Sequence, residues 1–145
     1  MRYRTRLIMF GITTLALAFA AQAAALEQRV PARVKRVIDG DTFKVEARVW
    51  PGITAQSNVR VRGVDTPEIR RAKCGEYERR RGLAARDFVR GVIGERVWLV
   101  NVGYGKFGRR VVASVLLADG RDLATLLLAT GHALPYHGGR RPKWC

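Results

Sequence analysis

Apolar and polar residues alternate with a period of two along several stretches, and each such stretch predicts a strand with one buried face. Residues 33–38 form a short first one. Over residues 42–50, Phe43, Val45, Ala47 and Val49 share one face, while Thr42, Lys44, Glu46 and Arg48 share the other. Asp39-Gly40 between them predicts a tight hairpin turn, with glycine supplying the positive φ such turns use. Pro51-Gly52 ends the second strand, and a polar loop leads to a third, where Val59 and Val61 alternate with Arg60 and Arg62. Thr66 and Pro67 then read as a turn or helix entry, since Thr can cap and Pro has no N–H to leave unpaired.

The period changes to 3.6 over residues 76–93. Tyr77, Arg81, Ala84, Ala85, Phe88 and Val92 fall near one helix face, and Arg79, Arg80, Arg86 and Arg90 lie largely off it. Glu76 and Glu78 suit the positive end of the helix dipole, and Gly94 suits its end. Residues 95–102 and 109–118 return to period two, separated by a glycine-rich loop at 103–108. Asp122 can cap a second helix over 123–130, which is apolar nearly all round and therefore expected to be buried. Residues 137–145 show no period.

The order is three strands, helix, two strands, helix. Five short strands in a small domain leave edges that must be closed. The economical solution is an α+β fold: a five-stranded OB-type Greek-key barrel with two helices.

Composition adds a leader and a charge. Up to residue 26 there is no Asp or Glu. Arg2, Arg4 and Arg6 precede an apolar run over 7–20, and Ala21-Gln22-Ala23 has the small-x-small form of a cleavage site. The run is short for a membrane span, so residues 1–23 are expected to be a removed signal peptide and residues 24–145 one domain with a basic tail at 136–145. That implies export to the periplasm or medium, with no stable membrane association and a monomer as the working form. The formal net charge of the full chain is +15, or about +12 with the three leader arginines set aside, and arginine far outnumbers lysine. Guanidinium forks match phosphate oxygens in pairs, so the expected partner is a polyanion, DNA or RNA first. A cationic surface without selectivity is the alternative.

Candidate chemistry concentrates in one stretch, Val59-Arg60-Val61-Arg62-Gly63-Val64-Asp65-Thr66-Pro67-Glu68. Arginines on a strand run directly into two carboxylates around a proline. A further carboxylate, Asp41, has the parity of the apolar face at the very end of its strand, where a charge is costly unless a cation meets it. If Asp41, Asp65 and Glu68 converge, they repel one another until something cationic sits among them. His132 and His137 have no zinc-ligand spacing to a cysteine pair and read as structural or tail residues.

Three segments together resemble the staphylococcal nuclease (thermonuclease) family: Val37-Ile38-Asp39-Gly40-Asp41-Thr42, then Arg60 followed by Val64-Asp65-Thr66-Pro67-Glu68, then Phe107-Gly108-Arg109. The resemblance spans about residues 33–135. It implies a calcium-dependent nuclease acting on DNA and RNA. Carried residue by residue, it makes Asp41, Asp65 and the Thr66 carbonyl calcium ligands, Glu68 the general base, and Arg60 and Arg109 the phosphate-binding groups. The chemistry suits those residue types, because Ca2+ takes hard oxygen ligands and a phosphodiester needs its charge neutralised. Phe107 stands where the family often has Tyr, and no third helix follows residue 131. A non-catalytic OB-type module that binds nucleic acid or another polyanion is the competing class. Arg62 shares the strand face of Arg60, and only the spacing to Asp65 selects Arg60.

Cys74 and Cys145 are the only cysteines. In an exported chain, an even pair favours a disulfide. The bond would pin the aperiodic tail beside the first helix, fold Trp144 onto the barrel, and stand in for the bracing of a third helix.

Overall fold

The computed structural model describes residues 28–106, 108 and 110–145. The expected leader, Phe107 and Arg109 therefore lie outside the described residues. The elements run β1 (Val30–Val37), β2 (Thr42–Trp50), β3 (Ile53–Val61), β4 (Val64–Asp65), α1 (Gly75–Val92), β5 (Arg96–Tyr104), β6 (Arg110–Leu117), α2 (Leu123–Ala129) and β7 (Leu134–Pro135).

Five strands close a barrel in the order β1-β2-β3-β6-β5. All pairings are antiparallel except that of β3 with β6, which run parallel, with Arg60 opposite Val112 and Val61 opposite Ala113. The expected α+β OB-type barrel is thus the observed one. The alternation fills it. Phe43, Val45 and Ala47 of β2, Val59 and Val61 of β3, Val97 and Leu99 of β5, and Ala113, Val115 and Leu117 of β6 are all buried in one cluster. Helix α1 contributes Val89 to that cluster and α2 contributes Leu123 and Leu127. Each buried aliphatic side chain stabilises the fold by about 1.5–3 kcal/mol over its exposed state.

Several expectations change. Residues 53–58 are strand, not loop: Pro51-Gly52 is a tight turn and β3 pairs at once with β2, Trp50 opposite Ile53 and Arg48 opposite Thr54. This hairpin end projects past the barrel, so Val49 is exposed and the strand there carries no apolar face to read. Gly40 does not take positive φ; that conformation falls on Gly52 instead. Gly40 is needed for space, because a Cβ there would lie 2.7 Å from the Ala85 Cβ and 2.9 Å from the Thr66 Cγ2. Thr66 and Pro67 begin no helix; α1 starts at Gly75, with Cys74 as its N-cap and no side-chain capping bond. Helix α2 is buried on one side only, with Leu128 exposed, although Asp122 caps it as expected, accepting the Thr125 N–H at 2.7 Å. Asn101 has a φ of 52° at a register shift in β5.

Two short strands have no counterpart in the sequence pattern. β4 pairs with β7, Asp65 opposite Leu134. That pairing fixes the backbone of the carboxylate stretch and brings the chain after α2 against it.

Candidate active site

Arg60 lies at the end of β3, opposite Thr42 at the start of β2. The main chain binds the two strand ends again where the Val61 N–H donates to the Asp41 carbonyl at 2.8 Å. Asp41 therefore sits beside Arg60 by register. Its carboxylate is buried and accepts from three donors: the Arg60 guanidinium at 2.8 Å, the Thr42 hydroxyl at 2.9 Å and the Thr66 N–H at 3.2 Å. The other Arg60 Nη donates to Asp65 Oδ1 at 3.0 Å. One guanidinium thus bridges both buried carboxylates, the fork geometry that favours Arg over Lys. Arg62 goes elsewhere. It is exposed and donates to the carbonyls of Asn101 and Val112 at 2.6 and 3.1 Å, away from the two carboxylates that Arg60 bridges.

Glu68 follows on the irregular segment between β4 and α1, its side chain about one-third exposed. Two features of α1 hold this segment. Gly82 faces it so closely that a Cβ would lie 2.7 Å from the Pro67 carbonyl oxygen. Glu78 is buried under the helix start, and its carboxylate accepts from the N–H of Glu68 at 3.1 Å and from the N–H of Cys74 at 3.0 Å. Glu78 is thus a positioning residue for Glu68 and does more than complement the helix dipole. The sequence signal for it is weak: an acid on the helix face that carries Ala85 and Val89.

The segment after β7 closes the cluster. Arg141 donates through Nε to Asp65 Oδ1 at 2.7 Å, through Nη2 to the Thr66 carbonyl at 3.4 Å, and through Nη1 to Glu68 Oε1. Trp144 is buried and donates its indole N–H to Asp65 Oδ2 at 3.3 Å. Tyr136 lies with its ring 5.9 Å from the Arg60 guanidinium. Cys74 and Cys145 form a disulfide, which ties this tail to the start of α1. None of Arg141, Trp144 or Tyr136 carries a periodic signal that would have placed it here.

Mutual repulsion among Asp41, Asp65 and Glu68 is therefore met by two guanidinium groups. Asp39, next to the cluster, accepts the Asp41 N–H at 3.3 Å. Burial first, then the charge of Asp41, push its carboxyl up to about 7. His132 stacks on Phe88 with ring centroids 4.7 Å apart, and burial with the nearby Arg81 charge lowers its pKa, so it is a packing residue at neutral pH. Arg109 is outside the described residues, and its placement is not part of this geometry.

A barrel of this topology, with a buried Asp–Arg–Asp bridge at one end and a glutamate beside it, narrows the choice of family. The family model of staphylococcal nuclease homologues matches residues 58–143, more than half of the chain. The chain belongs to the staphylococcal nuclease homologue family. No curated protein matches it. The family match begins inside β3 and ends within the tail, so it takes in Arg60, Asp65, Glu68 and Arg141; Asp41 lies before it. Staphylococcal nuclease homologues are generally nucleases and typically depend on calcium. The oxygens of Asp41, Asp65 and Thr66 suit a hard cation by type. Among the described residues, however, no group of three or more His, Cys, Asp or Glu side chains is gathered to hold a metal ion. Oδ1 of Asp41 and of Asp65 accept from guanidinium groups, while Asp41 Oδ2 accepts the Thr66 N–H and Asp65 Oδ2 the Trp144 indole N–H.

Proposed function

We propose that this chain is an exported, calcium-dependent nuclease that hydrolyses phosphodiester bonds in DNA and RNA. The observation that carries the reading is the Arg60 bridge between Asp41 and Asp65 with Glu68 three residues on, in a chain of a nuclease family. In this reading Asp41, Asp65 and the Thr66 carbonyl hold the cation. Bound calcium supplies charge neutralisation at the scissile phosphate.

The protein's own groups do the rest. Arg60 gives up part of its carboxylate contact to a phosphate oxygen, and Arg109 supplies the second guanidinium, so donors face the oxygens on which charge builds. Glu68, the more exposed carboxylate, takes the proton from the attacking water. Glu78 holds the Glu68 backbone so that this carboxylate meets the phosphate at a fixed distance. The tail disulfide and the expected signal peptide support export, since such bonds persist in oxidising compartments.

Plasmid DNA and single-stranded RNA incubated with calcium, and with a chelator, test the proposal against the binding-module alternative. Cleavage that stops in chelator is expected. In the same assay Glu68→Gln should bind nucleic acid as before and cut about 10² to 10⁴ times more slowly, because the amide keeps the shape and cannot accept the proton. Tight binding with no cleavage by the unaltered protein under any divalent cation would make it a binding module.

A further inference from the structure

Arg141 touches Asp65 Oδ1, the Thr66 carbonyl and Glu68 Oε1. These belong to the residues that the proposed function gives to the cation and to the base, and the present inference rests on that reading. The contact is built from several sides. The Tyr136 N–H donates to the Gly63 carbonyl at 2.9 Å. The buried Trp144 ring is held by Asp65 on one side, with the Arg81 guanidinium 5.1 Å from its centroid. The next residue, Cys145, is bonded to Cys74, whose N–H shares the Glu78 carboxylate with that of Glu68.

We propose that residues 136–145 form an autoinhibitory strap, with Arg141 as a built-in cation that occupies the acidic site and the Cys74–Cys145 disulfide as the latch that keeps it there. A guanidinium is planar, permanently charged and carries five donors, so it can satisfy three oxygens at once. A glutamate paired with it cannot take a proton from water while the pair lasts. A divalent cation needs the lone pairs that Arg141 holds, so cation and Arg141 exclude each other at Asp65 and Thr66. The apparent affinity for the cation is then the intrinsic one reduced by the fraction of molecules whose strap is open.

The latch acts through effective concentration. With Cys145 bonded beside the site, Arg141 cannot leave its vicinity, and re-closure is intramolecular. A dithiol reductant opens it. The reductant gives two electrons and two protons, becomes a disulfide itself, and leaves Cys74 and Cys145 as thiols. Cys74 is half-buried and Cys145 exposed, so the bond is within reach of such a reagent. Arg141 then returns through its own contacts with Asp65 and Glu68 and those of Trp144 and Tyr136, without the covalent tether.

Calcium titration calorimetry on the oxidised protein and on Arg141→Ala decides the matter, with Arg141→Gln as a second variant that keeps more of the side-chain stem. Thermal melts establish that each is folded. The variants should bind calcium roughly tenfold tighter or more than the unaltered chain. Reduction should tighten the unaltered chain by a similar factor and leave Arg141→Ala nearly unchanged. Trp144 fluorescence, followed against a Trp144→Phe control, should shift to the red when calcium binds or the disulfide is cut. Equal or weaker calcium binding in both folded variants overturns the strap. If those variants still cut DNA with calcium, only the strap falls. If no form binds calcium and none cuts, the proposed function falls and takes the strap with it.

Discussion

Arg60 shows how one side chain can satisfy a structural and a chemical demand together. Its two Nη atoms hold Asp41 at 2.8 Å and Asp65 at 3.0 Å. Lysine keeps the charge and cannot span both carboxylates, so Arg60→Lys should lower turnover by roughly 10² or more, as losing a directed transition-state donor does. Steady-state kinetics on the folded variant checks this; a loss under threefold would move the phosphate contact to another residue. Asp39 offers a different test. Its carboxyl titrates at about 7 in the fold against an ordinary 3.8. Between those values the folded chain keeps a proton that the unfolded chain has released, so stability falls as the pH rises through this window and stays lower above it. A side-chain amide at this position would not titrate. In chelator, Asp39→Asn should therefore gain on the unaltered protein by on the order of 2 kcal/mol between about pH 4 and about pH 8. Urea unfolding at both values measures it, and an unchanged difference would remove the burial cost from Asp39.

At the scale of elements, α1 serves the site from behind. Glu78 accepts two backbone N–H groups, and Gly82 lets the helix approach the Pro67 carbonyl. Glu78→Ala leaves two donors unpaired near the helix start, at about 1–3 kcal/mol for each donor that water does not reach. Activity should fall further than stability explains, since Glu68 loses its anchor. A melt and a rate measured on the same sample separate the two effects. Gly82→Ala should act in the same direction, because backbone must move to admit the methyl group. The strands were legible where one face is dry: Phe43, Val45, Ala47, Val59 and Val61 all alternate as the barrel requires. They were not legible at residues 53–58, where the hairpin is wet on both faces and polar residues carry no parity. The carboxylate–arginine cluster could be read because its residues stand close in sequence or at strand ends. Arg141 could not: the two cysteines pointed to the disulfide that carries its segment to α1, but the place of the side chain also depends on a pairing of β4 with β7 only two residues long, too short to leave a pattern.

The whole molecule carries a large positive field, with a formal net charge of +15 over the full chain. Neutralised phosphates release counterions, so binding should weaken steeply and linearly on a logarithmic salt scale. Arg80, exposed on α1, should behave as one surface contact: Arg80→Ala is expected to reduce the salt slope by about one and to leave the maximal cleavage rate alone. Filter binding at several salt concentrations reads the slope. A collapse of the cleavage rate at saturating substrate would place Arg80 in the site rather than on the surface.

The parallel pairing of β3 with β6 also has a consequence in time. The β1-β2-β3 and β5-β6 neighbours join through turns or short loops, whereas Arg60 meets Val112 only after the chain has travelled through α1. Contacts between distant positions form late, because loop closure must come first. Arg60 and β6 are therefore brought together near the end of folding, and an unfinished chain lacks this pairing. Under the proposed nuclease function, a maker of this protein would thereby be spared a premature attack on its own nucleic acid during synthesis. In pulsed hydrogen exchange, the Arg62 N–H, which donates to the Ala113 carbonyl at 2.9 Å, should gain protection after the amides shared by β2 and β3.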